Sequence, residues 1–199
     1  MGKASQFYHQ HTPTDVQRRE ILDALPQIEK LPADLQELTI TAWACSWLSS
    51  PYQRFLEIPM AIPAPDYSLI RHIGDTATAG LALMDIATQR LGRAPDHDTT
   101  LAAMLLHDLD SSLIYDRVGD GLDYNKVGRM IQHGVLGAMI LRDLDAPDDI
   151  VSLVATHALS SPFHPETPEA WVLSYADLFC ADHALMKNGS NPIYRRKAH

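Results

Sequence analysis

From Asp66 onward, apolar residues recur at helical spacing, which predicts helices over residues 67–91, 98–108, 125–144, 147–158 and 168–187. Upstream, Thr14 or Asp15 is placed to cap a helix running towards Ile28, and a second helix is expected from Pro32 to Leu48. Start signals support three of the later segments: Asn125 ahead of Val127, Pro147 followed by Asp148 and Asp149, and Thr167 with Pro168. Between Ser49 and Pro65, four prolines (Pro51, Pro59, Pro63 and Pro65) rule out a continuous helix and predict an irregular connection packed on the bundle. A polar stretch rich in Gly and Asp, Ser111 to Tyr124, reads as a loop directly after His107 and Asp108, a place where substrate contacts are often carried. No segment alternates like a strand and no repeat is present, so the expected class is all-α. The organisation expected is an N-terminal helical extension over 1–65, a helical bundle over 66–187 and a tail over 188–199.

The same periodicity turns polar residues inward. His133 lies three or four residues from Met130, Leu136 and Gly137, and His157 follows Val154 by three and Ile150 by seven. His72 shares a stripe with Leu69, Ala79 and Leu83. Asp177 stands between Leu173, Ala181 and Ala184 on one helical face. Burying a carboxylate alone costs several kcal/mol, so it needs a cation or several hydrogen-bond donors. A divalent metal meets that need, since imidazole and carboxylate suit Fe, Mn, Co, Ni or Zn, and bundle cores commonly build such sites from facing helices. Each histidine taken singly has another reading, a core imidazole bonded to a backbone carbonyl. His9, His11, His97, His164 and His199 read as solvated, and His183 falls on a different face of its helix from Asp177.

Composition narrows the partners. A chain of 199 residues, 46% hydrophobic, can bury one core. The net charge of −9, from 16 Lys plus Arg against 25 Asp plus Glu, argues against a surface for nucleic acid and favours a small-molecule substrate. The basic cluster Arg195, Arg196 and Lys197 reads as a solvated tail. Apolar runs fall far short of the roughly 20 residues a bilayer span needs, and the polar start carries no apolar signal segment, so the expected location is cytoplasmic with no membrane partner. Cys45 and Cys180 form no CxxC pair and read as small core residues. A homo-oligomer is left open.

The residues Ala102-Ala103-Met104-Leu105-Leu106-His107-Asp108 resemble the His-Asp doublet that marks the HD-domain superfamily, metal-dependent and phosphohydrolase-like. Arg71-His72 resembles that family's first histidine, His133-Gly134-Val135-Leu136-Gly137-Ala138 and Ala155-Thr156-His157 the two further histidines of its longer variants, and Tyr175-Ala176-Asp177 its closing aspartate. The resemblance covers about residues 66–187. It implies one metal ion on His72, His107, Asp108 and Asp177, and in the longer variants a second on His133 and His157 with Asp108 bridging. It also implies hydrolysis of a phosphate ester by a metal-activated water.

Phosphate calls for cations, and Arg71, Lys126 and Arg129 are the candidates. Many two-metal members have a glycine and a lysine soon after the doublet, where this chain has Leu109-Asp110-Ser111-Ser112; Lys126 could substitute. Asp110 could act as a general acid or base, or cap a turn. The ligand set also resembles the superfamily's di-iron oxygenases, which cleave C–C or C–P bonds with O2. Their phosphonate-cleaving members carry Tyr and Glu before the first histidine; here Tyr67 follows Pro65 and Asp66. A hydratase similar to cyanamide hydratase and a catalytically silent binding bundle are the remaining readings.

Overall fold

The computed structural model describes residues 6–195. Thr14 opens helix α1 (Asp15–Ala24) with a reciprocal capping box, its hydroxyl on the Gln17 backbone and the Gln17 side chain on its own N–H. Pro26 ends that helix, because a residue before proline avoids the α region, and the chain continues as a 3-10 turn over Pro26–Lys30. Helix α2 (Ala33–Leu48) follows, as expected.

The remaining helices are α3 (Leu69–Arg90), α4 (His97–Leu106), the short α5 (Ser111–Ile114), α6 (Val135–Asp143), α7 (Asp148–Thr156) and α8 (Pro168–Lys187). Helices α3 and α8 pack along one another, α4 lies against both, α6 and α7 form a hairpin of helices, and α2 backs onto α4. One core cluster runs from Tyr8 and Ile21 through Trp43, Phe55 and Leu105 to Leu173 and Ala176, so residues before 65 share the core of those after it. Cys45 and Cys180 are buried and unbridged, as expected.

The helical class holds, with two additions. Strands β1 (Pro59–Ala61) and β2 (Ala64–Ser68) form an antiparallel pair within the proline-rich stretch. Strands β3 (Tyr115–Val118) and β4 (Gly121–Tyr124) form a second, with Tyr115 opposite Tyr124. The expected loop from Ser111 to Tyr124 is therefore a helical turn and a hairpin. Its signal was Gly119-Asp120-Gly121 between two short runs, with Gly119 at φ +59 closing the turn.

The expected helix over 125–144 is also shorter. The Asn125 side chain accepts from the Val127 and Gly128 N–H groups, but these start a run of turns, and α6 begins only at Val135. No helix among the described residues is long and apolar enough to cross a membrane. Arg195 is exposed; Arg196, Lys197 and His199 lie outside the described residues.

Candidate metal centre

Helix α4 ends in His107, whose Nδ1 faces the Met104 carbonyl at 2.9 Å. Helix α7 ends in the same way in His157, whose Nδ1 faces the Val154 carbonyl at 2.8 Å. A carbonyl can only accept, so each ring keeps a proton on Nδ1 and turns Nε2 inward, the nitrogen that can ligate a metal once it is free of its own proton. His72, 1% exposed near the start of α3, stacks edge-on against His107 with ring centres 5.4 Å apart. Asp177 enters from α8 and brings its Oδ1 to 3.1 Å from His72 Nε2 and 3.6 Å from His107 Nε2.

Asp108 divides the cluster. Its Oδ2 lies 3.7 Å from His72 Nε2 and 3.6 Å from His107 Nε2. Its Oδ1 lies 2.9 Å from His133 Nε2 and 3.3 Å from His157 Nε2. All six residues named as ligands from the sequence therefore converge on one place, and three overlapping sets of them (His72, His107, Asp108; His107, His157, Asp177; Asp108, His133, His157) have ligand atoms within 4.8 Å of one another.

His133 arrives by a different route from the expected one. It sits in the turn before α6 rather than on a helical stripe, and two features aim it. Gly134 adopts φ +88, and a Cβ there would come 2.7 Å from the Val154 carbonyl oxygen, so only glycine lets the turn lie against α7. Asp110, fully buried, sits beside His133 Nδ1 at 2.8 Å and accepts the Gly134 N–H at 2.7 Å.

The turn carrying the doublet is held from behind by α2. Trp43 Nε1 donates to the Leu105 carbonyl at 2.8 Å, and the Ser46 hydroxyl bonds the Leu109 carbonyl and lies 2.6 Å from the Ser112 hydroxyl.

Charge in the cluster is mutual. Burial lowers the proton affinity of His107, but the carboxylates of Asp108 and Asp177 overcome it and push the imidazole up to about 9. Burial likewise opposes a proton on His133, and Asp110 and Asp108 outweigh it, holding that ring well above its usual value. Burial favours the neutral form of Asp108, yet His107 and His133 hold it well below the carboxylate range. Asp177 is held low against burial by His107 and His72.

A divalent cation fits these residues. His72 Nε2 and His107 Nε2 are buried with no hydrogen-bond partner, although carboxylate oxygens lie at 3.1 to 3.7 Å; the atoms face a shared space and are not aligned as donor and acceptor. Inward-facing Nε2 atoms and two low-lying carboxylates are the donor set that metals of this class take.

The cluster forms the floor of a cavity of about 320 Å³, walled by Met60 and Ile62 near β1, Tyr115 and Tyr124 of the second hairpin, and Leu178 and Leu185 of α8. That size suits a small molecule. Residues 60–63, at the end of the N-terminal stretch, thus form part of the cavity wall.

Tyr115 and Tyr124 were not foreseen, because the hairpin that presents them was read as a loop. Burial, then Tyr124 and the nearby Asp108 and Asp110, hold the Tyr115 phenol far above its ordinary value, so its hydroxyl stays a donor.

The expected cations are elsewhere. Lys126 is exposed on the turns after β4, Arg129 is occupied by Asp123 and the Tyr124 carbonyl, and Arg71 is exposed in a groove with Tyr67 and Lys187. Lys126, expected as a catalytic residue, lies away from the cavity, which no Lys or Arg lines among the described residues. Asp110, named as an acid or base or as a turn cap, has no exposure and both oxygens engaged, by His133 Nδ1 and the Gly134 N–H, and does not itself line the cavity. Tyr67 bonds Asp75 at 3.0 Å outside the cavity. His9, His97, His164 and His183 are exposed, whereas His11, expected in solvent, is half-buried with its backbone N–H on Cys45 Sγ at 3.4 Å.

Comparison with known proteins agrees with this geometry. The family model for the HD domain matches residues 70–182. The chain is 29% identical over 110 residues to dihydroneopterin 2′,3′-cyclic phosphate phosphodiesterase of Methanocaldococcus jannaschii, a match covering 55% of this chain and 44% of that relative. The alignment thus spans less than half the length of the relative. No solved structure matches the chain. With the matched segment running over more than half of the chain and containing His72, the His107-Asp108 doublet, His133, His157 and Asp177, the protein belongs to the HD domain family.

Proposed function

We propose that this chain is a metal-dependent phosphohydrolase that cleaves a phosphodiester bond in a small molecule. The observation that carries the reading is Asp108, whose two oxygens each face a separate pair of imidazoles at the floor of the cavity. That arrangement suits one or two divalent ions, with Asp108 between them. The proposed ligands are His72, His107 and Asp177 on one side and His133 and His157 on the other.

The chemistry available from such ions is a water acidified towards neutrality and a neutralised phosphoryl oxygen. The protein adds three things. The apolar wall of Met60, Ile62, Leu178 and Leu185 excludes bulk water from the reacting group, which strengthens charge interactions inside. The Tyr115 hydroxyl, held protonated, donates to a substrate oxygen. The carboxylate of Asp108, held ionised, orients the attacking water.

Two observations favour a diester over a monoester. The cavity wall offers no Lys or Arg among the described residues, so a singly charged phosphate fits it better than a dianion. The Methanocaldococcus jannaschii relative is named for a cyclic phosphodiester, and cyclic phosphates of that kind are the substrate class proposed here.

The test is turnover of bis(p-nitrophenyl) phosphate and of a nucleoside 2′,3′-cyclic phosphate by chain loaded separately with Mn, Fe, Co, Ni or Zn, with p-nitrophenyl phosphate as the monoester control and an oxygen electrode in the cell. Diester turnover that disappears on chelation, returns with metal and consumes no O2 is the expected result. Oxygen uptake in step with substrate loss, or no diester turnover with any of these metals, overturns the proposal.

A further inference from the structure

The four clustered imidazoles are not supported alike. His107 and His157 rest Nδ1 on the neutral carbonyls of Met104 and Val154, and neither nitrogen of His72 has a hydrogen-bond partner. His133 alone of the four has Nδ1 against a carboxylate outside the cluster, Asp110 Oδ1 at 2.8 Å. The carboxylate of Asp110 cannot swing away, because its other oxygen is tied to the Gly134 N–H and the residue has no exposure. Asp110 and Asp108 leave the same turn in different directions: Asp108 lines the cavity, and Asp110 lies behind His133 outside it.

A carboxylate oxygen that accepts from Nδ1 keeps a ring proton there and leaves Nε2 as the nitrogen that can ligate. Here Nε2 points at the space shared with Asp108 Oδ1, at 2.9 Å, and His157 Nε2, at 3.3 Å. A charged acceptor forms a stronger bond than a carbonyl and increases the electron donation of the opposite nitrogen.

We propose that Asp110 is a positioning residue which fixes the tautomer and direction of His133, so that the ion held by His133, His157 and Asp108 Oδ1 depends on it while the ion held by His72, His107 and Asp177 does not. This rests on the metal-dependent reading given above. It also assigns the second aspartate of the His107-Asp108-Leu109-Asp110 run a purpose without contact with substrate.

The experiment uses the full chain and Zn²⁺, which is diamagnetic. In native protein loaded with Zn²⁺, ¹⁵N spectra of labelled imidazoles are expected to show His133 protonated at Nδ1 and metal-bound at Nε2. Calorimetric titration of Asp110→Asn, which keeps the shape and removes the charge, is expected to show one Zn²⁺ site weakened by about 10- to 100-fold and the other unchanged. A residue that merely capped α6 would lower the melting temperature of the metal-free chain and leave both affinities as they were.

Zn²⁺ on Nδ1 of His133, or native binding at both sites in Asp110→Asn, overturns the proposal, and the spectrum of the native chain decides it even if the variant does not fold. A native chain that takes up no Zn²⁺ overturns this proposal together with the metal-dependent reading, whereas native uptake with an unaffected variant overturns this one alone.

Discussion

The two sides of Asp108 are built from different materials. On the Oδ2 side, His72, His107 and Asp177 come from α3, the end of α4 and α8, three helices that all pack on one another, and both imidazoles are all but sealed from solvent. On the Oδ1 side, His133 stands on a turn with 26% of its side chain exposed, and His157 closes a short helix beside it. Tertiary packing holds the first side in place. Hydrogen bonds, one glycine and one buried aspartate hold the second. Both sides line the cavity, through His72 and Asp177 on the first and His133 and His157 on the second, but the second rests on local supports and is the easier to disable without unfolding the chain.

Asp108 belongs to both sides, so changing it should remove the distinction. Asp108→Asn is expected to empty both metal positions and to lower kcat/KM on the order of 10³-fold, the several kcal/mol that a metal supplies to the transition state. Metal content by mass spectrometry and diester kinetics measure this together. Next in size are the single-side changes. His107→Ala should lose metal and activity together, whereas His133→Ala should keep the His72, His107 and Asp177 position filled while losing the other ion, so the metal content of the two variants separates the sides.

Protons compete with metal, and the direction follows from the paired charges. His107, raised to about 9, carries a proton at neutral pH in the metal-free chain and must release it to bind an ion. Metal affinity should therefore rise between pH 6 and 9, by about tenfold per pH unit for each proton displaced, with acid released into weakly buffered solution on loading. An affinity that is flat with pH would contradict the pairing.

Two smaller effects probe the supports. Gly134→Ala forces a left-handed backbone and a contact with the Val154 carbonyl, and should cost roughly 1–3 kcal/mol in denaturant unfolding while weakening the His133 side selectively. Trp43→Phe removes the donor to the Leu105 carbonyl behind the doublet and should cost about 1 kcal/mol, with both metal positions intact.

The same contrast explains what could be read from the sequence. Asp177 and His72 were legible because long helices impose a strict period, and α8 runs over Pro168–Lys187 where the apolar stripe and the Thr167 cap placed it. His133 joins the cluster by another route than the one its apolar neighbours suggested: they predicted a helix, but Gly134, not periodicity, turns it inward. The hairpin with Tyr115 and Tyr124 was missed because its polar residues face solvent and hide the alternation, leaving Gly119-Asp120-Gly121 as its local signal. For Asp110 the sequence left an acid-base role and a turn cap open. Two aspartates with one residue between them on a turn can face different ways, and it is the contacts of Asp110 with His133 and the Gly134 N–H that show which one stays out of the cavity.

Anomalous diffraction from crystals of the native chain soaked in Mn²⁺ addresses the convergence of these side chains on a shared cation most directly. Density is expected beside Asp108, either one peak between His72, His107 and Asp177 or two peaks with Asp108 between them. Saturating Mn²⁺ that leaves this place empty, or that collects only on surface carboxylates, would contradict the account.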